Sequence, residues 1–152
     1  FIVGHPGETD ADFEATLDLI GAVGYAQAYS FKYSPRPGTP ASAMEDAVPE
    51  EVKSERLDRL QSLVNDQQIA FNETFVGRSV PVLLDRRGRS PTQLAGRSPW
   101  MHAVHVDFGD EEIADNVFGT TVDVRILSAH PNSLAAEPDG EPGISRQEPA
   151  TV

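Results

Sequence analysis

Residues 31–41, with the sequence FKYSPRPGTPA, limit what the surrounding chain can fold into. Three prolines within six positions, Pro35, Pro37 and Pro40, exclude both a helix and a central strand there. Each proline also restricts the residue before it to extended geometry, and Gly38 supplies freedom where the chain must turn. The stretch predicts a stiff loop at the end of a strand, where parallel α/β folds place their sites. The polar groups that this loop can present are Tyr33, Ser34, Arg36 and Thr39.

The composition excludes several classes of protein. The chain has 152 residues and no cysteine, so these residues can form neither a disulfide nor a cysteine-ligated metal site. Its net charge of −12 argues against non-specific polyanion binding by the chain as a whole. It has no bilayer-spanning apolar stretch and no signal-peptide pattern, which predicts a soluble, cytoplasmic protein without a membrane partner. Phe1 begins the chain inside an apolar run, which favours a fragment of a longer protein.

A strand–helix–strand pattern occupies the first third of the chain. Residues 1–3 are an apolar run that is ended by a glycine, as is typical of a buried parallel strand. Thr9 is a good N-cap with an acid three residues on, and the apolar spacing after it predicts a helix over residues 9–23. Residues 27–33 alternate with a period of two, which predicts a second strand. The pattern indicates a right-handed βαβ unit within a first domain of residues 1–47.

A long helix and a β-rich module are predicted to follow. Residues 48–76 have proline and acids in the first turn and apolar positions at helical spacing, and the opposite face, with Arg56 and Arg59, is predicted to be solvated. Short apolar runs between turn signals predict a small β-barrel over residues 77–137. Residues 138–152 are rich in proline, glycine and charge and predict a disordered tail. The fold class is therefore α/β plus all-β. The predicted barrel strands are residues 80–84, 92–95, 103–106 and 121–127.

The turn GHPGET at residues 4–9 is the first candidate site. It places backbone N–H groups and a helix N-terminus at the carboxyl end of a strand, where an anionic or polar ligand can bind. The alternative is a plain capped turn between a strand and a helix, which composition alone favours. The sequence is neither a Walker loop nor a dinucleotide fingerprint.

A basic segment between Arg78 and Val106 is the second candidate site. It carries five arginines against one acid, and Trp100 is the only tryptophan of the chain. Charge for phosphates and a ring for stacking predict recognition of single-stranded or loop RNA. A solvated arginine face with Trp100 as a core anchor is an equally open alternative. The five arginines are Arg78, Arg86, Arg87, Arg89 and Arg97.

Two histidines and the serines of the chain predict no catalytic or metal site. His102 and His105 are three residues apart on a predicted strand, so they would point to opposite faces and could not share a metal ion. Ser34 and Ser98 have no histidine at a telling spacing in the sequence. No metal ligand and no catalytic residue is therefore assigned.

Three stretches of the chain together resemble the radical S-adenosylmethionine methylthiotransferases. Residues 1–9 (FIVGHPGET) resemble a late barrel strand of that family, and residues 31–41 resemble its last barrel strand with the exit loop. Residues 122–126 (VDVRI) with residues 131–134 (PNSL) resemble the end of its TRAM domain, a small β-barrel that binds RNA. The resemblance implies the C-terminal βαβ end of a partial TIM-type barrel, a linking helix and a TRAM barrel.

The resemblance also implies an activity. Members of the family add a methylthio group to a tRNA adenosine next to the anticodon, with S-adenosylmethionine and two 4Fe–4S clusters as cofactors. The resemblance is closest to the branch that acts at C2 of N6-(dimethylallyl)adenosine 37, and the branch for threonylcarbamoyl-adenosine is the alternative. The cysteines that hold the clusters lie upstream in the family, so none carries over and this segment alone is expected to be inactive. The residues that the resemblance places near S-adenosylmethionine are Gly4, Gly7, Glu8, Tyr33, Ser34 and Arg36.

The implied partner is tRNA, which the five arginines and Trp100 of the basic segment would bind. A monomer is expected, and the sequence does not identify the sulfur donor. A free-standing RNA-binding or scaffolding module without chemistry is the hypothesis from a different class.

Overall fold

The computed structural model describes residues 1–140, and the chain divides into two compact units, Phe1–Gln68 and Ile69–Val152. In the first unit β1 (Ile2–Val3) is followed by α1 (Asp10–Val23) and β2 (Phe31–Lys32). The two strands are parallel, with Ile2 opposite Phe31 and Val3 opposite Lys32. A short 3₁₀ turn (Pro40–Ala43) follows, and then α2 (Glu50–Glu73), whose last residues belong to the second unit.

The helix α1 begins and ends where its local sequence predicts. The Thr9 hydroxyl accepts the Asp12 N–H, and the Asp12 carboxylate accepts the Thr9 N–H, which forms a complete capping box. At the other end Gly24 has a φ of 65°, a left-handed conformation that a residue with a Cβ rarely adopts. The predicted helix over residues 9–23 is therefore confirmed.

The second strand is shorter than predicted. Of residues 27–33 only Phe31 and Lys32 form β2, because a strand exists by pairing and β1 offers two residues to pair with. Ile2 and Phe31 are exposed on one face of the small sheet, whereas Val3 is buried on the other. Two parallel strands are fewer than a barrel needs, so membership in a larger barrel stays a prediction.

The core of the first unit lies between the buried face of the sheet and the two helices. α1 contributes residues at helical spacing, and α2 contributes residues one turn apart, so each helix buries one stripe. The buried members are Val3, Phe13, Ile20, Leu60 and Val64.

The second unit is a closed five-stranded barrel with the strand order β3-β4-β5-β7-β6. Its neighbouring strands are antiparallel except β5 and β7, which are parallel, and β6 closes the barrel by pairing with β3. The strands are β3 (Ser79–Arg87), β4 (Gln93–Arg97), β5 (Ala103–Asp107), β6 (Thr121–His130) and β7 (Ser133–Pro138). The prediction of a small β-barrel is confirmed.

Alternating residues of the barrel strands fill its interior. On β3 the side chains of Val80, Val82 and Leu84 are buried and those between them are exposed. Gly96 on β4 lies where β3 approaches too closely for any side chain, since a Cβ there would overlap the Leu83 carbonyl oxygen. The other large buried side chains are Leu94, Val104, Val106, Val124, Ile126 and Leu134.

Two elements of the second unit were not predicted. The helix α3 (Glu111–Val117) lies between β5 and β6, and β7 occupies residues that carry alanine, glutamate and proline, which are poor strand formers. β7 is held because it pairs with both β5 and β6. The predicted disordered tail lies outside the described residues from residue 141 on. In the described part of the chain, no helix is both long and apolar enough to cross a membrane.

Candidate cofactor pocket and nucleic-acid interface

A pocket of about 560 Å³ in the first unit lies beside the proline-rich loop. Its floor is apolar, from Ile2 and Phe31, and its polar groups come from the strand end and the loop. The structure therefore brings together three of the six residues predicted to lie near S-adenosylmethionine. The polar residues of the lining are Lys32, Tyr33, Ser34, Arg36 and Thr39.

Hydrogen bonds make the proline-rich loop stiff. The Arg36 carbonyl accepts both the Thr39 N–H at 3.2 Å and the Thr39 hydroxyl at 2.8 Å, and the Ser42 hydroxyl donates to the Thr39 carbonyl at 2.7 Å. Gly38 has a φ of 84°, which explains the glycine at this turn. The Arg36 side chain is exposed and forms no ion pair within residues 1–140. The loop thus presents an unneutralised guanidinium on a fixed backbone.

Tyr33 lies between this pocket and a second cavity of about 210 Å³ that Gly4 and Lys53 also line. The Tyr33 hydroxyl is buried and has no hydrogen-bond partner among the described residues. A buried hydroxyl without a partner is costly, so a polar group from a ligand would stabilise it.

The GHPGET turn is held by an internal ion-pair cluster. Glu8 Oε2 accepts the Gly4 N–H at 2.7 Å and Arg56 Nη1 at 2.6 Å, while Arg56 Nη2 donates to Asp10 Oδ1 at 2.6 Å. Arg56 is 5% exposed, so the prediction that it lies on a solvated helix face is wrong. The reason is a partner 48 residues away, which the spacing of α2 cannot reveal.

The two glycines of the turn have structural explanations. Gly4 has a φ of 75°, and a Cβ there would overlap the side chain of Lys53. Gly7 has a φ of 83°, and its N–H donates to the Asp46 carbonyl at 2.9 Å. These contacts explain Gly4, Gly7 and Glu8 without a ligand, so their cofactor role stays a prediction.

The residues of this chain could hold one of the two implied kinds of cofactor but not the other. Iron–sulfur clusters are held by cysteine thiolates, and the chain has no cysteine, so its residues do not fit the clusters. Within residues 1–140 no group of three or more histidine, aspartate or glutamate side chains could hold a metal ion. The pocket at Arg36 does fit S-adenosylmethionine in its chemistry, because it joins a cation, hydroxyls and an apolar floor.

An aromatic cluster in the second unit surrounds the predicted RNA-binding tryptophan. The ring centroid of Trp100 lies 4.8 Å from that of Phe75, and Phe75 in turn lies 4.9 Å from His102 and 5.2 Å from Phe71. Phe75 is buried, whereas Trp100 is 44% exposed. Trp100 is therefore neither a core anchor nor a free surface side chain, because its inner side packs while its outer side meets solvent.

The arginines of the basic segment form two groups instead of one face. Arg78 precedes β3 and lies over the Phe75 ring at 5.1 Å, and Arg97 donates to the Met101 carbonyl at 3.0 Å. The other three lie where β3 ends and β4 begins, roughly 27 Å from the start of β3 at about 3.3 Å per residue. There Arg86 pairs with Asp85, Arg87 pairs with Asp115 at 2.5 Å, and Arg89 follows in the connecting turn.

Phe71, Phe75 and His102 are the members of this surface that sequence reasoning missed as site residues. The spacing of the two phenylalanines predicts only a helix stripe, and nothing in the sequence places the end of α2 beside residue 102. Pairing of β4 with β5 brings the turn between them next to the phenylalanines.

His102 makes the stability of this cluster depend on pH. Burial lowers the pKa of His102 below its usual 6.5, and its Nε2 is buried without a partner among residues 1–140. The unfolded chain therefore binds more protons than the folded one just below pH 6.5, and stability is lost as the pH falls through this range. We expect the free energy of unfolding to rise between pH 5 and pH 7 by a smaller amount in His102→Asn than in the wild type.

Chemical denaturation followed by Trp100 emission at a series of pH values checks this expectation. The two proteins differ at residue 102 alone, so the difference between the two curves isolates His102. If the free energy of unfolding changes equally with pH in the two proteins, folding does not change the pKa of His102.

Comparison with known proteins identifies the domain type of the second unit and the enzymes that the chain is similar to. Residues 73–138, which include the whole barrel, match the TRAM domain family. Over 138 residues, 91% of this chain, the sequence is 57% identical to the tRNA-2-methylthio-N(6)-dimethylallyladenosine synthase of Sphingopyxis alaskensis. It is 54% identical to the protein of the same name from Wolbachia pipientis subsp. Culex pipiens, over 88% of the chain, and 55% identical to that of Novosphingobium aromaticivorans, over 89%.

These matches cover about nine-tenths of the chain, and the resemblance found in its three stretches is confirmed. The chain spans about 30% of the length of the relatives it matches. The activity, substrates and partners of a whole protein that contains it are therefore matters for proposal.

Proposed function

We propose that the protein containing this chain is a tRNA methylthiotransferase that modifies C2 of N6-(dimethylallyl)adenosine at position 37, next to the anticodon. The observation that carries this proposal is the 57% identity to a synthase with that name over 91% of the chain. The TRAM match over residues 73–138 supports an RNA substrate, since this domain type binds RNA. We also propose that the protein is cytoplasmic, where its tRNA substrate is found, and that it acts as a monomer.

The first unit would form part of the wall around S-adenosylmethionine. When bound, this cofactor supplies the methyl group and the radical chemistry. Arg36 would bind an anionic group, because its guanidinium is unneutralised and its backbone is fixed. The Ser34 and Tyr33 hydroxyls would donate hydrogen bonds, and Phe31 would cover an apolar or aromatic part. Gly4, Gly7 and Glu8 would shape the neighbouring wall through their own contacts.

The two 4Fe–4S clusters would be held by cysteines elsewhere in the whole protein. Because this chain has no cysteine, we expect the purified chain to contain neither iron nor labile sulfide after anaerobic reconstitution. Iron and sulfide analysis checks this expectation, and a stoichiometric cluster on the chain would contradict it.

The second unit would bind the tRNA. Of the six RNA-binding residues that the sequence predicts, we propose Arg78, Arg89, Arg97 and Trp100 for contact with RNA, whereas Arg86 and Arg87 already pair with Asp85 and Asp115. An arginine removes a phosphate's counterions on binding, so contacts of this kind weaken as salt rises. The target base must leave the base stack to be modified. A second RNA-binding surface would help to hold the RNA while the base is in that position.

Deleting the gene tests the proposed activity. Nucleoside mass spectrometry of tRNA from the deletion strain should show loss of the 2-methylthio form and accumulation of N6-(dimethylallyl)adenosine, and the gene on a plasmid should restore the product. Loss of the 2-methylthio form of threonylcarbamoyl-adenosine instead would assign the protein to the alternative branch. Unchanged levels of both products would reject the methylthiotransferase proposal.

A further inference from the structure

We propose that Trp100, Arg78 and Arg97 form one binding site for an unpaired RNA base and its flanking phosphates, and that Arg86 and Arg87 serve the barrel itself. The inference rests on the proposed RNA binding by the second unit, and it deepens that function by dividing the basic segment in two.

The indole of Trp100 has the exposure that a stacking platform needs. Its ring packs on the buried ring of Phe75, at 4.8 Å between centroids and with 57° between the planes. Phe75 is held in turn by edge contacts with Phe71 and His102. Because nearly half of Trp100 remains exposed above this support, a base can stack on it without displacing the core.

The turn that carries Trp100 is fixed before any ligand binds. The Ser98 N–H donates to the His102 carbonyl at 3.2 Å, the Met101 N–H donates to the Ser98 carbonyl at 2.9 Å, and Ser98 Oγ shares a 3.0 Å hydrogen bond with His102 Nδ1. Met101 has a φ of 65° and is the only residue other than glycine with a positive φ among residues 1–140. Such a conformation is costly and is concentrated at functional sites. The turn therefore presents Trp100 at low entropic cost to binding.

Two arginines without an ion-pair partner among the described residues lie near the tryptophan. Arg78 and Trp100 both lie against Phe75, so the guanidinium carbon and the indole centroid are within about 10 Å of each other. Arg97 contacts Met101, the residue after Trp100. Neither arginine forms an ion pair within the described part of the chain. Their charge is therefore available to phosphates.

The arginines at the far end of β3 have partners in the barrel. Arg87 pairs with Asp115 of α3 and lies 4.8 Å from the ring centroid of Phe118, which ties β3 to the segment around α3. Arg86 pairs with the neighbouring Asp85. Acids next to these arginines reduce their attraction for phosphate, so this group makes the weaker RNA site.

The chemistry of the site favours an unpaired base over a duplex. In a duplex the ring faces of the bases are stacked on one another, whereas a single-stranded loop offers them to aromatic side chains. Stacking on a protein aromatic is worth roughly 5- to 100-fold in affinity per base and tolerates different sequences. A half-exposed ring with two arginines close by that form no ion pair within residues 1–140 matches that pattern.

The test measures binding of the whole chain to a seven-nucleotide single-stranded RNA at fixed ionic strength, by anisotropy of a labelled RNA and by Trp100 emission. We expect RNA to quench the emission, and the same sequence in a duplex to bind more weakly. Trp100→Leu should weaken binding roughly 5- to 100-fold, whereas Trp100→Phe, which keeps a ring face, should retain most of the affinity. Removing the base at one position of the RNA should match the loss in Trp100→Leu.

A charge-matched pair of variants tests the division of the arginines. Arg78→Gln/Arg97→Gln should weaken binding and flatten its salt dependence, whereas Arg86→Gln/Arg87→Gln, which removes the same charge, should change both little. Circular dichroism melts establish that each variant folds.

The outcomes separate this inference from the proposed function. Wild-type binding that is insensitive to Trp100→Leu, or weakened only by the Arg86→Gln/Arg87→Gln pair, overturns the site and leaves RNA binding by the barrel intact. Absence of RNA binding by the wild-type chain overturns both, and the nucleoside analysis of the deletion strain then decides the enzymatic proposal independently.

Discussion

Replacing Gly96 with alanine is expected to lower the free energy of unfolding of the β-barrel by about 3 kcal/mol or more. Gly96 is buried on β4 and stands opposite Leu84 of β3 and Val104 of β5. A Cβ would overlap the Leu83 carbonyl oxygen and would stand 2.7 Å from the Leu83 carbonyl carbon and 2.9 Å from Val82 Cγ1. Backbone atoms of a paired strand cannot move aside without breaking the ladder, so the added methyl group must open the barrel.

Guanidinium denaturation followed by Trp100 emission measures this effect, because the only tryptophan of the chain lies in the turn between β4 and β5. Gly21→Ala is the matched control, since a Cβ at Gly21 of α1 meets nothing within 4 Å. Circular dichroism should show the control unchanged or stabilised by up to about 1 kcal/mol, as alanine favours a helix. A Gly96→Ala barrel as stable as the wild type would contradict the strand spacing described here.

Replacing Arg56 with methionine is expected to destabilise the first unit by about 3–5 kcal/mol. Arg56 is buried and donates to both Glu8 and Asp10. Glu8 is itself only 12% exposed, so without Arg56 its carboxylate stays buried with the Gly4 N–H as a remaining donor. The cost arises from an uncompensated buried charge, and adding Glu8→Gln to the variant should therefore recover part of the loss.

Arg59→Met is the matched control for this prediction. Arg59 lies three residues further along α2, pairs with Glu14 and contacts the Phe13 ring, as Arg56 does, but its ion pair is half exposed. Exposed pairs contribute about 0–1 kcal/mol, so the control should lose little. Thermal melts followed by the circular dichroism of the helices compare the two variants. An equal loss of stability in both would show that burial of the Arg56 ion pairs does not increase their contribution to stability.

Local signals in the sequence predicted the elements that local interactions determine. The capping residue Thr9 and the left-handed Gly24 bound α1 because their hydrogen bonds lie within the helix itself. The short apolar run at residues 80–84 likewise predicts a strand there, and β3 includes all of these residues. By contrast, β2 ends where its partner ends, and β7 exists through parallel pairing with β5, to which no turn connects it. Such pairing depends on residues far apart in the sequence, so a local sequence pattern cannot predict it.

The same limit applies to the candidate sites. Composition alone identifies Trp100 and the arginines as candidate RNA-binding residues. Their positions depend on the register of β3 and β4, which places Arg97 opposite Leu83 and away from Arg87. The acids that neutralise part of the basic segment include Asp115, whose helix the sequence did not predict. Arg56 was assigned to a solvated face because its partners lie in another element.

The most direct test of this account is the affinity of the whole chain for an anticodon stem–loop RNA as a function of salt concentration. The account predicts measurable binding at low salt and a linear fall of the logarithm of affinity with the logarithm of salt, with a slope of about −0.7 to −0.9 for each phosphate contacted. Double-stranded DNA of the same length should bind more weakly, because its bases are stacked within the duplex and none is unpaired to stack on Trp100. No binding of the stem–loop at low salt, or an affinity that does not change with salt, would contradict an RNA-binding barrel.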